Sequence, residues 1–135
     1  MNVDPDNIVI GAGAQLLDAM LVQLLGADKV YAIEDPGYLR LTRIYQAMGC
    51  KVRHIPLDDE GVGLSALQKT GTDVLHLMPS HQYPTGLVTS IARRYALLSW
   101  AAERTRSVSP SKMTLIVSFA LPASRFLRLR RSIAA

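Results

Sequence analysis

Short β-branched runs alternate with apolar-faced stretches closed by glycine, and this alternation constrains the fold more than any other feature of the chain. "NIVIG" (7–11) reads as a buried strand ended by Gly11. "AQLLDAMLVQLLG" follows as a helix, with Leu17, Met20, Leu21, Leu24 and Leu25 on one face and Gly26 as its stop. "KVYAIED" is a second strand, "YLRLTRIYQAMG" a second helix and "KVRHIPL" a third strand. "DDEGVG" reads as a loop, "LSALQKTG" as a short helix and "DVLHLMP" as a fourth strand. A last helix, "SIARRYALLSWAAERT", carries Ile91, Tyr95, Leu98 and Ala102 near one face. A β-α-β-α-β-α-β-α order with short connections predicts an α/β fold. The apolar strands predict a mainly parallel sheet covered on both faces, a three-layer α/β/α arrangement.

The chain has 135 residues, enough for one domain with a single core. Its charge is unevenly placed. Residues 1–103 hold eight Lys/Arg against eleven Asp/Glu, whereas residues 104–135 hold seven Lys/Arg and no acid. A basic arm for nucleic acid is one meaning of such a tail. A single cysteine, Cys50, excludes an internal disulfide framework and reads as a strand-edge thiol. The acidic, polar start is unlike a signal peptide, and no apolar run is long enough to span a bilayer. These features lead us to expect a cytoplasmic protein with no membrane partner.

Chemistry concentrates in three places. "GAGAQ" joins the first strand to the first helix, where small residues allow a tight turn and helix-start N–H groups can hold an anion. Gly11 and Gly13 fit the dinucleotide fingerprint, but Leu16 stands where its third glycine belongs. Glu34 is then a candidate ribose acid, although a solvated strand-end carboxylate is the favoured reading. In "EDPGYLR", Asp35-Pro36-Gly37 makes a turn at the strand edge where open α/β sheets place ligands. Tyr38 has a ring suited to stacking on a flat cofactor, and Arg40 can hold a carboxylate; a core tyrosine and a surface arginine are the plainer alternatives. "MPSHQYPTG" supplies a polar loop at another such edge. His81 reads as a solvated loop histidine and Trp100 as core. His54, His76 and His81 make no zinc spacing, so no metal ligands are assigned, and no serine nucleophile elbow is present.

Together, "NIVIGAGAQLLDAMLVQLL", "YAIEDPGYLRL", "VRHIPLDDEGVGLSAL" and "LMPSHQYPTGLVTSIARRYALLSWA" resemble the aminotransferase-like domain of the MocR/GabR regulators. Those are GntR-type transcription factors fused to a fold-type-I, pyridoxal-phosphate-dependent aminotransferase domain. The resemblance spans roughly residues 3–106. It implies that residues 1–106 are the first part of a pyridoxal-phosphate-binding domain. By resemblance, Gly13, Ala14 and Gln15 match the turn that holds the cofactor phosphate. Tyr38 matches the aromatic on the pyridine ring, and Arg40 a position suited to the carboxylate of an amino-acid-like ligand. Tyr83 stands where general aminotransferases carry an asparagine that contacts the ring's phenolic oxygen. The intact family is homodimeric and reaches DNA only through a winged-helix domain. That domain, the Schiff-base lysine and the aspartate that partners the pyridine nitrogen are not recognised in this chain. No catalytic residue is therefore assigned, and the chain alone is expected to lack transaminase activity.

The family places an acidic motif, "EDDYDSEFR", about ten residues after the tryptophan of "LLSWA". Here that position, near Ser111, begins "SKMTLIVSFA". Permitted codons for these residues, read one base earlier, translate as E-D-D-F-D-S-E-F-R. Residues 107–135 are accordingly expected to be out-of-frame translation without ordered structure. The competing expectations are a genuine basic nucleic-acid-binding arm and, for the chain as a whole, a small Rossmann-like nucleotide-binding domain.

Overall fold

The computed structural model describes residues 5–107, 114–120 and 125–130. After a 3-10 turn (Pro5–Asn7), the elements are α1 (Ala14–Leu25), β1 (Val30–Asp35), α2 (Leu39–Ala47), β2 (Lys51–Asp58), β3 (Gly61–Val62), α3 (Leu64–Gln68), β4 (Val74–Leu77), α4 (Ile91–Ser107), β5 (Thr114–Ala120) and β6 (Arg125–Arg130). They build one six-stranded sheet in the order β3-β2-β1-β4-β5-β6. Strands β2, β1, β4 and β5 run parallel, while β3 and β6 close the two edges antiparallel.

Side chains alternate across β1 and β4, so each strand feeds two cores. Tyr31, Ile33 and Val74 pack with Leu21 and Val22 of α1 and with Leu41 and Tyr45 of α2. Ala32, Leu75 and Leu77 pack on the other side with Leu67 of α3 and with Leu97 and Trp100 of α4. The result is the expected three-layer arrangement. A polar clamp ties its edge: Arg93 of α4 donates to Asp58 at 2.9 Å, to Glu60 at 3.1 Å and to the Val62 carbonyl at 2.6 Å. This holds the β2–β3 hairpin against α4.

Four expectations need correction. Residues 8–10 are not a buried strand; they carry no strand pairing, and Ile10 is 91% exposed. Both long edges of β1 are already taken by β2 and β4, so the interior of the sheet offers this segment no partner. The "DDEGVG" loop contains β3, because Gly61 and Val62 pair back onto Asp58 and Leu57. The apolar face named on α4 is turned outward: Ile91, Tyr95, Leu98 and Ala102 are exposed, and Leu97 and Trp100 make the core contact instead. On α1, Met20 and Leu24 are exposed while Leu21 and Val22 are buried. Beyond α4, residues 114–120 form β5 and residues 125–130 form β6. The parallel pairing of β5 satisfies the open edge of β4 over Val74–Leu77. The rest of that tail lies outside the described residues.

Candidate functional site

The sheet order reverses at β1. From β1 the chain moves outward to β2 and β3, then returns to place β4 on the other side of β1. Such a reversal opens a crevice at the C-terminal ends of the two strands, the place where open α/β sheets bind ligands. The loop after β1 (36–38) and the loop after β4 (78–90) rim that crevice.

Residue chemistry shapes both loops. Gly37 is required by close approach, because a Cβ there would collide with the Glu34 carbonyl oxygen. The turn therefore folds back tightly over the end of β1 and delivers Tyr38 to the start of α2. The Tyr38 ring meets Tyr83 from the facing loop edge-on, with centroids 5.8 Å apart and planes at 89°. Tyr83 is 58% exposed, whereas Tyr38 is half-buried against the core beneath α1 and α2. Both loops contain a cis X-Pro bond, Asp35-Pro36 and Tyr83-Pro84.

Beneath the rings lies Gln82, 1% exposed. Its amide Nε2 donates to the Pro36 carbonyl at 2.8 Å and to the Tyr83 carbonyl at 2.7 Å. Its Oε1 accepts from the Thr85 hydroxyl at 2.6 Å and the Thr85 N–H at 3.2 Å. Arg94 of α4 donates to the carbonyls of Pro79 and Thr89, closing the second loop onto its helix. Glu34, at the end of β1, is buried. One carboxylate oxygen accepts the Met78 N–H at 3.0 Å, and among the described residues the other has no hydrogen-bond partner. Desolvation pushes its pKa up to about 7 against the opposing pull of the Met78 N–H and the Gln82 amide.

α1 reaches the same edge by connectivity. It joins β1 through a four-residue turn at its C-terminus, so its N-terminus points back toward the C-terminal end of β1. Gly13 precedes the helix at φ 106, a conformation that favours glycine, and nothing stands within 4 Å of where a Cβ would be. The first turn has no side-chain cap hydrogen bond. The amides of Ala14, the exposed Gln15 and Leu16 are therefore first-turn donors at the positive end of the helix dipole. These features fit a phosphate group, and the adjoining Tyr38 and Tyr83 rings offer an aromatic surface to a flat heterocycle.

The structure therefore brings Tyr38 and Tyr83 together and places Gly13, Ala14 and Gln15 at the same edge of the sheet. Arg40 is exposed in the first turn of α2, two residues after Tyr38. His81 and His54 are exposed; His76 is buried and its Nδ1 bonds the Tyr45 hydroxyl at 2.7 Å, on the core side of β4. Among the described residues no group of three or more His, Cys, Asp or Glu can hold a metal ion. The three described lysines, Lys29, Lys51 and Lys69, lie at the start of β1, the start of β2 and the end of α3, which is the opposite edge of the sheet from the crevice. No described helix is long and apolar enough to cross a membrane.

Two readings of Glu34 fall here. It is not a solvated strand-end carboxylate, because the β4 loop covers it. Nor is it free to hold a ribose, and no strand precedes "GAGAQ" to form the dinucleotide fingerprint. Gln82 was legible only as one polar residue of a loop; its importance depends on Pro36, 46 positions away.

The fold and the crevice define the chain as part of a fold-type-I aminotransferase-like domain. A kynurenine aminotransferase from Pyrococcus horikoshii superposes with a TM-score of 0.63 at 25% identity, over 79% of this chain and 27% of that one. Among sequence relatives, the HTH-type transcriptional regulator YdeL of Bacillus subtilis is 36% identical over 99 residues, 73% of this chain and 21% of its own length. The HTH-type pyridoxine biosynthesis regulator PdxR of Corynebacterium glutamicum is likewise 36% identical over 99 residues, 73% of this chain and 22% of its own length. No protein-family model matches. The chain belongs with the aminotransferase-like domains of the MocR-type HTH regulators, and it spans about a fifth of the length of these curated relatives.

Proposed function

We propose that the crevice between β1 and β4 is part of a pyridoxal-phosphate site in a ligand-sensing domain of MocR/GabR type. The observation that carries this reading is the meeting of Tyr38 and Tyr83 at the sheet reversal, beside an uncapped helix N-terminus. The amides that follow Gly13 hold the phosphate, with Gln15 beside them. Tyr38 presents its ring to the heterocycle, and Tyr83 borders it from the other loop. Arg40 supplies a cation for the carboxylate of an amino-acid-like ligand. When bound, pyridoxal phosphate supplies an aldehyde for amines and an electron-withdrawing ring. The described part of this chain provides binding and orientation, and no lysine at the crevice to anchor the aldehyde.

Transcription control through a DNA-binding domain, dimerisation and a cytoplasmic location come with the same reading, by analogy with the HTH-type relatives. The isolated chain is accordingly expected to bind the cofactor reversibly and to turn over no amino acid. Absorbance titration with pyridoxal phosphate in the presence and absence of amino acids tests this. A stable covalent band with turnover contradicts the second half of the expectation, and the absence of any binding contradicts the first.

A further inference from the structure

Two loops that are far apart in sequence carry the two tyrosines, and one buried amide joins their main chains. The side chain of Gln82 has two N–H groups and one carbonyl oxygen, and all are used. The N–H groups go to the carbonyl of Pro36, two residues before Tyr38, and to the carbonyl of Tyr83 itself. The oxygen is held by Thr85 through both its N–H and its hydroxyl. The Gln82 main chain is fixed as well: its N–H donates to Leu87 at 3.0 Å and its carbonyl accepts from Gly86 at 2.6 Å. The residue thus stands on a closed turn, 82–87, and reaches across the crevice floor from it. A leucine of similar size fills the space but leaves the part-buried carbonyls of Pro36 and Tyr83 without this donor. A glutamate keeps the shape and the Thr85 contacts but replaces both N–H groups by an acceptor.

We propose that Gln82 is a positioning residue that sets the distance and the edge-on angle between Tyr38 and Tyr83. It thereby selects a flat aromatic ring rather than only the phosphate attached to it. The second part of this statement rests on the pyridoxal-phosphate reading; the first does not. These Gln82 side-chain bonds go to main-chain carbonyls and to Thr85, so it acts through the main chains of the two loops.

The test uses the full chain and two probes, 4-deoxypyridoxine 5′-phosphate, which has no aldehyde, and inorganic phosphate. Nuclear Overhauser contacts between the Tyr38 and Tyr83 rings report the geometry without any ligand. In Gln82→Leu these contacts are expected to disappear. Affinity for the deoxypyridoxine phosphate falls about tenfold, the scale of one or two lost hydrogen bonds, while inorganic phosphate binds within about twofold of the native chain. If the ring contacts persist in a folded Gln82→Leu chain, or if both probes lose affinity equally, the proposal is overturned. Should Gln82→Leu fail to fold, Gln82→Glu decides, made in a Glu34→Gln background because the buried Glu34 carboxyl faces this side chain and titrates at about 7. The introduced carboxyl regains one donor when protonated, so the ring contacts are expected to be absent at pH 8 and to return on acidification to about pH 5. Contacts that are retained at pH 8 overturn the proposal. A native chain that binds neither probe refutes the cofactor reading and leaves the ring contacts to judge the positioning role of Gln82.

Discussion

Glu34 and His76 are buried on opposite faces of adjacent strands and titrate in opposite senses. Glu34, raised by desolvation from 4.5 to about 7, keeps its proton in the folded chain where the unfolded chain has lost it. Its contribution is whole below the unfolded value and is lost as pH rises through the folded one. His76, lowered by desolvation from 6.5 to about 3, behaves the other way: its contribution is whole above 6.5 and is lost as pH falls toward 3. Between 4.5 and 6.5 the two slopes cancel. Replacing Glu34 by Gln removes one of them. Relative to the native chain, Glu34→Gln is expected to gain roughly 2–3 kcal/mol across that interval, read by urea unfolding at several pH values. A difference that stays constant with pH contradicts the burial argument. Gly37 gives a second test at this scale. Because a Cβ there meets the Glu34 carbonyl, Gly37→Ala is expected to cost roughly 2–4 kcal/mol in thermal unfolding and to separate the two tyrosine rings. A cost under about 0.5 kcal/mol, the range of an ordinary surface change, contradicts it.

The elements show which parts of the fold were legible. β1, β2 and β4 and the helices α2 and α3 stand where their apolar runs and glycine stops put them, since those signals are local. β3 was missed because two residues carry no period; the hairpin exists through pairing with Leu57 and Asp58 and through Arg93. The run at 8–10 was misread because β-branched composition alone does not supply a neighbouring strand. The faces of α1 and α4 were misjudged for a related reason: each helix is apolar on more than one side, and periodicity does not say which side meets the sheet. Leu16, Met20 and Leu24 recur every four residues along α1 and are all exposed. Ile91, Tyr95 and Leu98, spaced four and three apart along α4, are exposed likewise. Exposed apolar stripes of this kind promote association. Leu24→Lys together with Tyr95→Lys is expected to lower light scattering of the isolated chain while changing unfolding free energy by less than about 0.5 kcal/mol. Unchanged scattering, or a loss of several kcal/mol, shows that these faces are not free.

At the scale of the whole molecule, the sheet reversal explains why the candidate site residues converge although they lie in three separate stretches. Residues 36–38 and 78–90 leave adjacent strands at the same edge, and α1 points its uncapped end there. The motifs "GAGAQ", "EDPGY" and "SHQYPTG" were readable as candidates; the amide that joins two of them and the burial of Glu34 were not, because both depend on contacts across the sheet. β5 takes the parallel position beside β4 that the acidic family motif is expected to take. We propose that residues 107–135 are an out-of-frame reading of that segment. Resequencing from the codons for Trp100 onward tests it: the neighbouring frame is expected to encode the acidic motif, and stop codons in that frame contradict the proposal and leave the basic-arm reading to be tested by the salt dependence of DNA binding.

The central claim is that the crevice is a cofactor site, and titration of the full chain with 4-deoxypyridoxine 5′-phosphate, native against Tyr38→Ala, tests it most directly. Saturable binding that weakens about tenfold in the variant, the scale of one lost ring stack, is the predicted result. Binding that is absent in the native chain, or equally strong without the Tyr38 ring, contradicts it.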